Sequence, residues 1–546
     1  MKPGRRFVAV AGLCVGFLFL TAAVSAQEST KRSHVGVPQD WSQHHIVFSR
    51  DALLQHPEVI YQEPRVLHQA MQRWQRPNSS VFHGAEPPHR RPASSLQRDW
   101  NVNLRGRISV NMFPAKYSFD PALPPDCVHD YVVFGLTNAG VTGGAANLVA
   151  FNNLYSGTGG LCGLAPTVLF AYNITTVTGG HIVTSPVLSV DGTKIAFVES
   201  AAGQAIFHVL TWTAGQGTIS PANAAAPTMT STPLVPAAGS TTSSPWVDYS
   251  NDIAYLGADN GRIYKITGVF HGTPTLAGAP WPVTVSTNLR LTPPVLDVSR
   301  GLLMVGSLNG RLYQINTTTG ALKSMPVGLN GGGRVDPGIW APPIVDVTNG
   351  TTFAVSSNDG TSGVLVEFDT TLFTEMARAR IGQASTSGTA VNLLEPAFSD
   401  SYFNDPSTGV ARLCGTGAAD TTPWQYGFGF IGTTLQTTPS FSQQLLTSTT
   451  ARCTGWTEFF NPNVNGGTDF FFFGLSQDCT GPGTGGGCVV SRTSDAPLIN
   501  LTKVTLNGGP TGIVVDNYST LGQASSIYAM ARLQNTAYKF TQNGLQ

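Results

Sequence analysis

Apolar and polar positions along this chain fall into short β-type runs that recur with a fixed period. From about Trp100 onward, each unit opens with a proline and two or three apolar residues. An aspartate and a turn often follow, then two β-rich runs joined by a Gly/Asn turn. The sharpest copies cover 244–269, 293–320 and 342–370, and their leading residues are Pro245, Pro294 and Pro343. Both intervals between these prolines are 49 residues. Looser copies begin at Pro114, Pro186 and Pro396, and two degenerate ones near Glu458 and Gly512. The second run of each unit reads DYVVFG (130–135), KIAFVES (194–200), DIAYLGA (252–258), LLMVGS (302–307), TFAVSS (352–357), VARLCG (410–415), DFFFFGL (469–475) and SIYAMAR (526–532). That makes eight units. A period near 50 with several short strands per unit is the signature of propeller blades.

A single four-stranded blade leaves both faces and both edges exposed. Stacking blades in a ring buries the faces, and closing the ring removes the edges. The last unit holds three strands, and the missing one is found at the front. WNVNLRGRISVNMF (100–113) precedes Pro114 and resembles WPVTVSTNLRLTP (281–293), which precedes Pro294. The expectation is an all-β, eight-bladed β-propeller over 100–546, closed by this N-terminal strand, with seven blades as the alternative.

The front of the chain is different. Lys2, Arg5 and Arg6 precede an uncharged apolar run, Phe7 to Val24, and Val24-Ser25-Ala26 supplies small residues for cleavage. Residues 1–26 therefore read as a bacterial-type signal peptide, and the mature protein as secreted or periplasmic with no membrane insertion. Residues 27–99 read as a His-rich extension and linker, with His34, His44, His45, His56, His68, His83 and His89. Within it, Val66, Leu67, Ala70, Met71 and Trp74 at helical spacing behind Pro64 predict one short helix, Pro64 to Trp74. Pro77 to Ser95 reads as linker.

Charge and cysteine content narrow the function. Charged residues make up only 11%, with 31 basic and 31 acidic, so no broad basic surface for nucleic acid is expected. Six cysteines remain after Cys14 leaves with the signal, an even number suited to disulfides in an oxidising compartment. Strand placement favours Cys127–Cys162 and Cys479–Cys488, with Cys414–Cys453 near the binding face. No CxxC, G-x-S-x-G elbow or phosphate-binding loop occurs. Asp191-Gly192, Asp259-Asn260-Gly261, Asn309-Gly310 and Asn358-Asp359-Gly360 read as hairpin turns, not as glycosidase or calcium motifs. His44 and His45 are adjacent and would point to opposite sides of a strand, so they read as a solvated or partner-facing segment without a metal.

The repeat PVLD (294–297) followed by GRLYQINTTTG (310–320) resembles that of the pyrroloquinoline-quinone-type, or quinoprotein alcohol dehydrogenase-like, eight-bladed propellers. SVDGTKIAFVES (189–200) also resembles the repeat of periplasmic TolB-like propellers. The first resemblance implies the ring fold and, in active members, a quinone cofactor. Active members carry a tryptophan after the Thr-Gly and a pair of adjacent cysteines. TTGALKSM (318–325) has no tryptophan, and no two cysteines are adjacent. A non-catalytic member without cofactor is therefore expected. Arg290, Arg334, Asp336, Trp340, Trp424 and Trp456 stand on long loops and form the candidate binding face, because Trp and Arg dominate interface energetics. The expected role is a scaffold or binding module for a protein or glycan. The alternatives are a propeller enzyme (lyase, glycosidase or degenerate quinoprotein) or a subunit of an extracellular assembly docking or self-associating through 27–99.

Overall fold

Each repeat forms one antiparallel sheet in the computed structural model, and the sheets pack in chain order around a central channel. The structure describes residues 36–74 and 96–542, other than 111, 122–123, 330–337, 385–392, 463–466, 482, 484, 494–500, 517–522 and 533. The signal peptide and the linker at 77–95 lie outside the described residues. The strands lining the channel are Ala115–Ser118, Val187–Leu188, Trp246–Asp248, Val295–Asp297, Ile344–Asp346, Ala397–Phe398, Thr457–Asn461 and Val514–Asp516. They define blades 1 to 8, so the ring has eight blades and not seven. The second strands lie where the apolar runs predicted them, for example Tyr131–Gly135, Leu302–Gly306 and Thr468–Leu475. These strands are buried along almost their whole length because each faces a neighbouring blade on both sides.

Two repeated residues have a local cause. The aspartate ending an inner strand holds the turn that follows it. Asp297 accepts from Ser299 Oγ (2.7 Å) and the Arg300 backbone N–H (3.1 Å), and Asp346 accepts from the Thr348 and Asn349 backbone N–H groups (2.9 and 2.7 Å). The glycine ending several second strands lets the next blade's incoming connection approach. A Cβ on Gly257 would lie 2.8 Å from Leu291 Cβ.

Ring closure follows the expected route, with a shifted boundary. The closing strand is Leu96–Asn103, paired antiparallel with Thr536–Gln542, and it begins four residues before Trp100. A bulge between Arg98 and Trp100 turns Asp99 inward. Asp99 ion-pairs with buried Lys539 and accepts from Thr541 Oγ1 (2.6 Å). The strand register is thus tied by a buried charge pair at the seam.

Residues 36–74 belong to the same compact unit as the ring and occupy its channel. Val37–Gln39 adds an antiparallel strand to the inner edge of blade 1. Ile46–Val47 adds a parallel strand to the inner edge of blade 5, on the opposite side of the ring. The short helical turn between them, Trp41–His45, spans the channel. Trp41 Nε1 donates to Pro245 O (3.2 Å) in blade 3, and His45 Nδ1 lies 3.2 Å from Pro343 O in blade 5. The predicted helix Pro64–Trp74 is present and packs on the inner strand of blade 7.

The inserted segment is fixed by two buried arginines. Arg65 pairs with Glu63 (2.8 Å), donates to Ser42 Oγ (2.6 Å) and Val247 O (3.1 Å), and lies 4.1 Å from the Trp246 ring centroid. Arg73 donates to Asp400 (2.7 Å) and Glu458 (2.9 Å), joining blades 6 and 7. Much of 36–49 and 63–74 is buried in the channel, whereas Leu54 and Tyr61, on the short helices Arg50–Gln55 and Glu58–Gln62, are exposed. His44 packs beside Phe113 and His45 against blade 5, so neither is solvated: burial in the channel places both against the ring itself.

Candidate functional site

Interblade connections converge on one face of the ring and enclose a cavity of about 560 Å³. All eight inner strands contribute the residues just before them, among them Phe113, Ser185, Ser244, Pro293, Pro342, Glu395, Gly455 and Gly512. The inserted segment forms the floor, where Trp41 lines the cavity and meets Trp246 edge-on at 5.8 Å. The result is a funnel that opens to solvent and dead-ends at Trp41. This volume falls within the usual range of ligand sites, about 300–1,000 Å³.

Polar chemistry in the funnel is uneven. Arg290, Arg452 and Arg532 line it from three different parts of the rim, and Glu395 is its lining carboxylate. Arg290 donates through Nε to Thr242 Oγ1 (2.5 Å), and its guanidinium lies 5.1 Å from the Trp340 ring centroid. Burial holds the Arg290 and Arg532 guanidinium groups below the usual arginine range. Burial also pushes Glu395 up to about 7, only partly offset by a hydrogen bond from its own backbone N–H. At neutral pH this carboxyl is shared between its acid and carboxylate forms. The indole N–H of Trp340 and Nε of Arg532 are enclosed, and neither has a hydrogen-bond partner among the described residues.

Arg290 and Trp340 are thus brought together in the funnel. Trp424 and Trp456 go elsewhere. Trp424 lies in the third strand of blade 6, with Nε1 donating to Thr422 Oγ1 (3.1 Å) and Asp420 (3.2 Å). Trp456 is buried just before the inner strand of blade 7 and stacks on Phe473 at 4.1 Å. Arg334 and Asp336 fall outside the described residues. Glu395, Arg452 and Arg532 were not singled out from the sequence. Each stands beside ordinary turn residues, and only their shared position just before an inner strand, or between second and third strands, signals the rim.

A second polar arrangement crosses blade 2. Ser231 Oγ lies 3.0 Å from His208 Nδ1, and His208 Nε2 lies 2.9 Å from Glu199 Oε2. Glu199 also accepts from the Thr176 and Val177 backbone N–H groups (2.8 and 3.2 Å). Register accounts for the row, since His208 stands directly opposite Ser231. It lies away from the funnel, on the outer half of the blade.

The cysteines pair as Cys127–Cys162, Cys414–Cys453 and Cys479–Cys488, with Cα separations of 5.5, 6.2 and 5.9 Å. The second pair joins blade 6 to the funnel rim, which Cys453 lines. Among the described residues no helix is long and apolar enough to cross a membrane. Both facts are compatible with an extracellular or periplasmic protein.

No family model and no curated protein matches the chain. Solved propellers resemble it in architecture. BamB from Moraxella catarrhalis is 14% identical with a TM-score of 0.47, covering 82% of this chain and 100% of that one. The Dos1 propeller is 12% identical with a TM-score of 0.49, covering 82% and 95%. Sqt1 from Saccharomyces cerevisiae is 10% identical with a TM-score of 0.48, covering 82% and 99%.

Proposed function

We propose that this protein is an exported, non-catalytic binding propeller that receives a segment of a partner protein in its dead-end funnel. The observation that carries this reading is the convergence of all eight interblade connections over a channel closed from within by the chain's own Trp41. A through-channel offers only its rim, whereas a closed funnel offers walls and a floor. The lining supports recognition of a protein segment. It combines apolar wall residues such as Leu291, Leu308 and Ile339 with the aromatics Trp41, Phe113 and Trp340 and several arginines, the composition of interface hot spots. Three disulfides suit an oxidising compartment, in keeping with the signal-like front of the sequence. On this reading the chain is a non-catalytic relative of the pyrroloquinoline-quinone-type propellers, as the 294–320 repeat suggests.

The test is co-purification of the full-length protein from its native source, with cross-linking and mass spectrometry. Trp340→Ala and the rim-blocking Ser109→Trp are each expected to lose the cross-linked partner while melting like the wild type. Retention of the same partner by both folded variants refutes docking in the funnel.

A further inference from the structure

We infer that the segment received by the funnel is acidic, its carboxylates held by Arg290, Arg452 and Arg532. This rests on the funnel's being a docking site. The chain as a whole is balanced, with 31 basic and 31 acidic residues, yet among the described residues three arginines and one carboxyl line this single cavity. The concentration is local and is not inherited from the composition.

The arginines come from separate parts of the ring. Arg290 precedes the inner strand of blade 4 and Arg452 that of blade 7, while Arg532 follows the second strand of blade 8. Folding therefore brings arginines from three parts of the ring to one recess, and the burial of Arg290 and Arg532 is costly in the empty protein, at Arg290 even with the Asp259 carboxylate nearby. An anionic occupant removes that cost. A guanidinium binds carboxylates through paired, charge-assisted hydrogen bonds. The enclosed Nε of Arg532 and indole N–H of Trp340 supply two further donors without partners among the described residues. Glu395, the lining acid among the described residues, is itself buried, and in its protonated form it donates a hydrogen bond instead of repelling an anion.

Shape selects the class of anion. The funnel is closed below by Trp41, so no strand threads through it. A lipid surface or nucleic-acid duplex is too broad to enter a recess of about 560 Å³. A chain end or loop tip with carboxylates and one apolar side chain fits both the arginines and the wall of Leu291, Leu308 and Ile339.

The experiment uses the full-length protein and an eight-residue fluorescent peptide containing four Asp/Glu and one Phe. Its probes for comparison are the Asn/Gln counterpart, citrate and an oligonucleotide of equal charge. Binding of the acidic peptide is expected to weaken with salt, and the Asn/Gln peptide is expected to bind at least tenfold more weakly. Arg290→Gln, Arg452→Gln and Arg532→Gln should each weaken it by about tenfold or more, with unchanged melting, and Ser109→Trp should abolish it. Equal binding of both peptides, or indifference to all three arginine variants, overturns the inference. Citrate competing as well as the peptide assigns the site to a small carboxylate, and the oligonucleotide doing so assigns it to a polyanion; either overturns the acidic segment. Should the native partner still be lost from Ser109→Trp while the acidic peptide fails to bind, this inference falls and the docking reading stands. Full peptide binding to folded Ser109→Trp removes both.

Discussion

Replacing Arg65 with methionine should release the inserted segment from the ring without dismantling the blades. Arg65 is fully buried and holds Glu63, Ser42 and the carbonyl of Val247, while stacking on Trp246 and Tyr249 at 4.1 and 4.9 Å. Methionine fills much of the stem but leaves Glu63 buried without its cation. Asp40, which the Arg65 charge also favours, loses the same support. Breaking a buried pair by removing one partner costs about 3–5 kcal/mol. At about 1.4 kcal/mol per factor of ten, local opening of residues 36–74 should rise by about 10²- to 10⁴-fold. Adding Glu63→Gln removes the orphaned charge but keeps an acceptor for the Arg65 backbone N–H (3.1 Å) at the helix start. The double variant should therefore open less than Arg65→Met alone. The assay is amide hydrogen exchange read by mass spectrometry on peptides from 36–74 and from blade 7. Unchanged exchange over 36–74 refutes the locking role. An equal rise in every blade refutes the separability of segment and ring.

Acid should loosen the same segment. Burial pushes His44 and His68 down to about 4 and His45 to about 3, with Arg65 adding to the effect on His68 and His44 to that on His45. A histidine depressed in the folded state contributes full stability above its unfolded value near 6.5 and loses it as pH falls toward the folded value. Each contributes about 1.4 kcal/mol per pH unit across that window. Buried Asp40 and Glu63, raised by burial, act in the opposite sense. His45→Phe should therefore flatten the loss of melting temperature between pH 6.5 and 4.5, and an unchanged slope counts against a buried neutral His45. Among the disulfides, loop length sets the ranking. Removing Cys127–Cys162 or Cys414–Cys453, with separations of 35 and 39, should cost about 4 kcal/mol each. Removing Cys479–Cys488, with a separation of 9, should cost about 3 kcal/mol. Denaturant titration of the paired serine variants gives the order, and a larger loss at Cys479–Cys488 contradicts the chain-entropy account.

Local pattern and tertiary convergence divided the information in this protein. The proline-to-proline period of 49, the second-strand runs and the Asn-Gly and Asp-Gly turns are short-range features, and blade number, strand positions and ring closure follow from them. Gly310, at φ +76°, adopts the left-handed conformation that its hairpin turn demands. Even the cysteine pairing followed once strand order was known. The channel insertion was not legible in this way. Val37–Gln39 and Ile46–Val47 are too short to register as strands, and their partners lie about 80 and 300 residues away. Nothing local marks Arg65 and Arg73 for burial, since most arginines are solvated; Glu63 of the inserted segment and Asp400 and Glu458 of blades 6 and 7 stabilise them there. Trp340 and Trp456 occupy similar loop contexts, yet one lines the funnel and the other stacks inside a blade junction. Which residues meet at the axis depends on closing eight separately encoded blades around one segment. That closure is a property of the whole ring and of no single stretch of sequence.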